Sequence, residues 1–134
     1  FDFLLPRISP NISVGIEDSE NNILGKYINY LENVKNNFDE EWIVFPGHEF
    51  PYLDPVKRAS SLINHHENRL DLLYKSIKIK SINVKTAMDL LFGSIKNDHD
   101  LFFAIFETKA HLNLLVNNKK IIMKKINNQI IYCN

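Results

Sequence analysis

Asp54-Pro55, followed by Val56, Ala59, Ile63, His66, Leu70, Leu73 and Ile77, constrains this chain more than any other feature. Aspartate can accept hydrogen bonds from the free amides of a first helical turn, and proline at the first helical position gives up no bond. The residues that follow recur by three and four, one stripe along roughly six turns. The spacing predicts a long helix packed along its whole length. At 134 residues the chain has room for one ordinary domain or two very small ones. Whatever flanks the helix is therefore small.

Upstream, Phe1 to Leu5 is apolar around Asp2 and reads as a strand ending at Pro6, with a loop over 6–22. Leu24, Tyr27, Ile28, Leu31 and Val34 recur at helical spacing and predict a helix over 23–37. Glu41 to Phe45 reads as a buried strand that stops on Pro46-Gly47-His48. Downstream, Asn83 can cap a short helix carrying Val84, Ala87, Met88, Leu90 and Leu91 and ended by Gly93. A second helix is expected over 99–117. Lys120 to Ile126 and Gln129 to Tyr132, joined by Asn127-Asn128, read as a hairpin, because asparagine tolerates positive φ. Helix, turn, helix and hairpin is the order of a small winged-helix module. The expected divisions are 1–53, a connecting helix over 54–79, and a winged-helix-like domain over 80–134.

Composition narrows the function classes. Sixteen basic and sixteen acidic residues give zero formal net charge, which leaves only local patches to attract nucleic acid or membrane. The single cysteine, Cys133, excludes an internal disulfide and a cysteine-based zinc site. No apolar run reaches membrane-spanning length and no signal-peptide pattern opens the chain, so a cytoplasmic location is expected. The first residue is Phe1, which fits a piece of a longer protein.

Two motifs carry chemistry: Asp2-x-Leu4-Leu5-Pro6-Arg7-Ile8 and Pro46-Gly47-His48. Separated by a helix-length segment and followed by the capped helix at Asp54, they resemble the tail of a metallo-β-lactamase-fold hydrolase. The tail, with Phe103-Ala104-Ile105-Phe106-Glu107-Thr108-Lys109-Ala110-His111-Leu112, is similar to the lactamase-like protein 2 and glyoxalase II-like branch of that family. The resemblance implies an α/β (α+β) fragment: the second half of an αββα sandwich, then a long helix and a winged-helix domain. It also implies two metal-ligand positions: Asp2 would bridge two zinc ions and His48 would complete the second ion's shell. A carboxylate can bind two cations, and a neutral imidazole suits zinc. A zinc-bound hydroxide would then attack an ester, thioester or phosphodiester, the substrate being a small thioester or single-stranded RNA. The family's H-x-H-x-D-H motif does not occur in the sequence, so the isolated chain is expected to be inactive and to need a missing N-terminal half or to self-associate.

Other polar residues have plainer readings. His65 and His66 lie about 100° apart on the long helix and cannot chelate one ion together; His66 falls in the apolar stripe. Arg69 reads either as solvated or as paired outside the chain. Glu107 and His111, four apart, read as an ordinary helical pair. Lys109 and Asn113 share their helix with Asp100 and Glu107, which argues against sequence-specific DNA reading. Lys119, Lys120, Lys124 and Lys125 concentrate positive charge near the hairpin. They could track an RNA backbone or serve as a soluble edge that discourages strand pairing. The alternative function is thus a non-catalytic winged-helix module binding RNA or protein.

Overall fold

The computed structural model describes residues 3–10, 12 and 22–134. The elements run in the order α1 (Ile23–Asn37), β1 (Ile43–Val44), β2 (Tyr52–Leu53), α2 (Pro55–Ile79), α3 (Val84–Phe92), α4 (Asp98–Asn117), β3 (Ile122–Ile126) and β4 (Gln129–Cys133). The chain divides into two compact units. Phe1–Asn11 with Gly25–Glu67 form the first, and Ile12–Leu24 with Asn68–Asn134 the second.

In the first unit α1 buries Tyr27, Leu31 and Val34, and the first half of α2 buries Ala59, Leu62, Ile63 and His66. These positions repeat by three and four, so each helix turns one stripe inward. Asp54 Oδ1 accepts from the Lys57 amide at 2.8 Å, the cap its sequence predicts. His66 is fully buried and meets the Tyr27 ring edge-on at 5.7 Å. Its place in the stripe is that of a packed residue.

Two upstream expectations are corrected. Residues 3–5 of the expected Phe1–Leu5 strand form a turn and bend, not a strand, and Phe1 and Asp2 lie outside the described residues. Leu4 and Leu5 are nonetheless buried, because side chains clamp the segment by its carbonyls. Tyr27 Oη donates to the Phe3 carbonyl at 2.7 Å, Tyr52 Oη to Leu4 at 2.8 Å, and Arg58 Nε to Leu5. Those carbonyls are satisfied without a ladder. The second correction concerns the run before Pro46. β1 is two residues long and pairs antiparallel with β2, Ile43 facing Leu53 and Val44 facing Tyr52. It is not buried: Trp42 is 51% exposed, Ile43 57% and Phe45 72%. Apolar character reports what a strand can bury against, and among the described residues this sheet has only two strands, with the Phe38 ring against Trp42.

In the second unit Leu73 and Ile77 of α2, Ala87 of α3, Leu112 and Leu115 of α4, Ile82, Ile121 and Tyr132 form one core. Asn83 Oδ1 caps α3 by accepting from the Thr86 amide at 2.9 Å, and Gly93, at φ 66°, ends it. Asn97 caps α4 in the same way through the Asp100 amide at 2.8 Å. β3 and β4 pair from Ile122–Cys133 to Ile126–Gln129. Asn127 and Asn128 both hold positive φ, 50° and 62°, as a two-residue hairpin turn of matching twist requires. Reciprocal hydrogen bonds between Ile82 and Tyr132, 3.0 and 2.8 Å, fix the hairpin to the segment before α3.

Candidate metal centre

His48 sits in the connection between β1 and β2, and its side chain is exposed. That connection begins at Phe45 and Pro46 and carries Glu49 in the left-handed region at φ 70°. Asp2, the other expected ligand, lies outside the described residues. The segment that follows it can be placed. The Arg7 amide donates to Glu49 Oε2 at 3.2 Å, the Arg7 guanidinium lies 3.4 Å from Glu49 Oε1, and it stands over the Phe50 ring at 5.1 Å. Arg58 adds a second tie, donating to the Leu5 carbonyl and to Ile8 at 3.0 Å. The residues after Asp2 and the residue after His48 are thus hydrogen-bonded to each other across more than 40 positions of sequence. The two motifs are joined by neighbours that neither motif contains as ligands. Arg7 lies within the first motif and Glu49 follows the second, and no local pattern marks charges 42 residues apart as partners.

Structural and catalytic zinc sites need three or four nitrogen, sulfur or oxygen ligands around one point. Among the described residues no group of three or more His, Cys, Asp and Glu could hold a metal ion. His65 and His66 lie on α2 with ring centroids 5.1 Å apart and inclined at 70°. The described residues therefore do not make a metal site on their own.

The remaining candidates have structural partners. Arg69 Nη1 lies 2.7 Å from Glu107 Oε1, joining α2 to α4, and its guanidinium covers the Phe92 ring at 4.5 Å. Burial raises the Glu107 carboxyl above its ordinary value, and neighbouring Arg69 only partly offsets this. The expected Glu107–His111 pairing is corrected. The Glu107 side chain turns to Arg69, while His111, fully buried, donates from Nδ1 to the Glu107 backbone carbonyl at 2.8 Å. A partner 38 positions away cannot be read from helical spacing.

The four lysines of the tail do not present one face. Lys124 and Lys125 are neighbours on β3, so their side chains leave opposite faces of the hairpin. Lys119 sits at positive φ beyond α4, and Lys120 lies over the Tyr74 ring at 5.5 Å, a ring that Lys78 also approaches at 5.7 Å. No described helix is long and apolar enough to cross a membrane.

No protein-family model matches the chain, and no curated protein sequence matches it. Solved structures do. A β-lactamase domain protein from Burkholderia ambifaria is 28% identical and superposes over 99% of this chain with a TM-score of 0.94. A metallo-β-lactamase family protein from Thermus thermophilus, 24% identical, has the same fold over 99% of this chain with a TM-score of 0.79. This chain spans 39% and 40% of the lengths of those two proteins. It holds a partial α/β fold related to the metallo-β-lactamase superfamily.

Proposed function

We propose that this chain forms the C-terminal part of a metal-dependent hydrolase of the metallo-β-lactamase superfamily. In this reading it comprises the second half of the αββα sandwich and a winged-helix tail of the lactamase-like protein 2 and glyoxalase II-like branch. The agreement with the Burkholderia β-lactamase domain protein, at a TM-score of 0.94 over nearly the whole chain, carries the reading. Asp2 and His48 are then the last two ligand positions of a two-zinc site whose other ligands come from a preceding portion. The metal, when bound in the whole enzyme, supplies a hydroxide nucleophile at neutral pH and polarises the scissile group. Among the described residues no three or more His, Cys, Asp or Glu come together to hold a metal ion. Their part is to scaffold: Arg7 and Glu49 tie the segment after Asp2 to the residue after His48, and Arg58, Tyr27 and Tyr52 fix that segment by its carbonyls.

The isolated chain should neither retain stoichiometric zinc nor hydrolyse thioesters, esters or phosphodiesters. Dialysis against zinc followed by elemental analysis reads the first expectation, and a small thioester assayed with added zinc reads the second. One tightly held zinc per chain, lost on His48→Ala, would overturn the assignment of the missing ligands to a preceding portion. The four-lysine RNA reading has no comparable support, since the side chains of Lys124 and Lys125 diverge.

A further inference from the structure

In the second unit the α3–α4 connection borders a cleft of about 450 Å³, within the size range that holds small molecules. Its apolar walls are Phe92, Ile95, Phe103 and Ala104. Asp100, Phe103, Ala104 and Glu107 stand at i, i+3, i+4 and i+7 on α4 and so share one face. Ala104 brings only a methyl group to that face, and a longer side chain there would enter the cleft. Two walls are held by their own neighbours. The Arg69 guanidinium lies over the Phe92 ring at 4.5 Å, and the His99 ring meets Phe103 edge-on at 4.6 Å.

Three polar groups of the lining are uncommitted. Glu107 Oε1 accepts from Arg69 at 2.7 Å, and among the described residues Oε2 accepts nothing. The Glu107 side chain is only 12% exposed, and a carboxylate so placed calls for donors on both oxygens. Among the described residues Lys96 Nζ and Ser94 Oγ have no hydrogen-bonding or ionic partner either. The rest of the polar lining is engaged. Asn97 Oδ1 accepts from the Asp100 amide at 2.8 Å, and Asn97 Nδ2 donates to Asp100 Oδ2 at 2.7 Å. Charge around the cleft balances as well, Lys96 and Arg69 against Asp100 and Glu107.

We propose that this cleft binds a free α-amino acid with an apolar side chain. The ammonium donates to Glu107 Oε2, the carboxylate accepts from Lys96 and Ser94, and the side chain packs against Phe92 and Phe103. A zwitterion leaves the charge balance as it is and answers an acceptor and two donors at once. A ligand with one charge leaves either Glu107 or Lys96 unanswered. The apolar walls ask for a hydrocarbon or aromatic side chain. The inference does not depend on the function proposed above.

The test is titration of the 134-residue chain with L-phenylalanine, read by amide NMR and calorimetry. Binding should saturate with a Kd of about 1 mM or below and should shift the amides of Ser94, Lys96 and Phe103. L-phenylalaninamide lacks the carboxylate and N-acetyl-L-phenylalanine lacks the ammonium, so each should bind about 10-fold more weakly. Lys96 is exposed, so Lys96→Glu leaves the fold intact. It should weaken L-phenylalanine about 10-fold and spare L-phenylalaninamide. Glu107→Gln should weaken both of these and spare N-acetyl-L-phenylalanine, with circular dichroism confirming that the helices persist. If that variant does not fold, Lys96→Glu decides alone. No saturation by about 10 mM, equal affinity for the three compounds, or shifts confined to amides away from the cleft would each overturn the proposal.

Discussion

Arg69 and Glu107 form an ion pair whose side chains are 19% and 12% exposed, and burial dominates its behaviour. The Glu107 carboxyl is raised above its ordinary 4.5 despite the guanidinium beside it. A raised folded-state value means that the folded chain holds this proton more tightly than the unfolded one. Its contribution to stability is therefore full below the ordinary value and falls as pH rises through the folded one. For the ionised carboxylate, desolvation outweighs what the pair returns. Arg69→Ala should then destabilise the protein by about 3 kcal/mol, while Arg69→Met with Glu107→Leu should cost far less. Urea denaturation reads both, and equal losses would contradict the account. The Arg69→Ala deficit should also shrink as pH falls and the stranded carboxyl takes up a proton. Tyr52 gives a test of the same sign at higher pH. Burial pushes its hydroxyl up to about 12, with Arg58 nearby lowering it in part, and Tyr27 is raised by burial as well. Both hydroxyls donate to carbonyls of the Leu4 segment, which a phenolate cannot do. Stability from these groups is full below pH 10 and is lost as pH rises through the folded values. Tyr52→Phe should cost about 1 kcal/mol at pH 7 and should make the loss between pH 10 and 12 shallower.

At the scale of elements, local chemistry controls where structure starts and stops. Asn83→Ala removes the acceptor for the Thr86 amide and should cost about 1 kcal/mol, whereas Asn83→Asp keeps that acceptor and should cost little. The hairpin turn is equally local. Asn128 at φ 62° should accept glycine with a gain of about 0.5 kcal/mol and should lose more than that with valine, whose branched Cβ resists the left-handed region. Thermal unfolding of the two Asn128 variants, moving in opposite directions, checks the assignment. These same features made the elements readable beforehand. The 23–37 helix, the Asp54-capped helix, the Asn83 and Gly93 ends of α3 and the Asn127-Asn128 turn all occur where the sequence implied, because each is specified within a few residues. The run before Pro46 departs from its sequence expectation for the complementary reason. Trp42-Ile43-Val44-Phe45 has the composition of a buried strand, but burial depends on neighbours that the run does not encode.

For the whole molecule, the described residues leave apolar surface of the first unit and the His48 side chain in the open instead of enclosing them. Phe45, Leu53 and Trp42 are all more than half exposed in the first unit. A dye that fluoresces on apolar surfaces should bind the isolated chain, and Phe45→Asp should reduce that binding without changing the circular dichroism of the helices. Unchanged dye binding would place the accessible surface elsewhere. By itself the sequence determined the helices, their caps, the hairpin turn and the two motifs at Asp2 and His48. All of these depend on spacing and on hydrogen bonds closed within one or two turns of chain. Only the tertiary structure decided that Arg7 meets Glu49, that Arg69 is held by Glu107, and that β1 lies open. Those outcomes join residues about 40 positions apart or turn on the lack of a neighbouring strand. No local pattern records which distant group will arrive, or that none will.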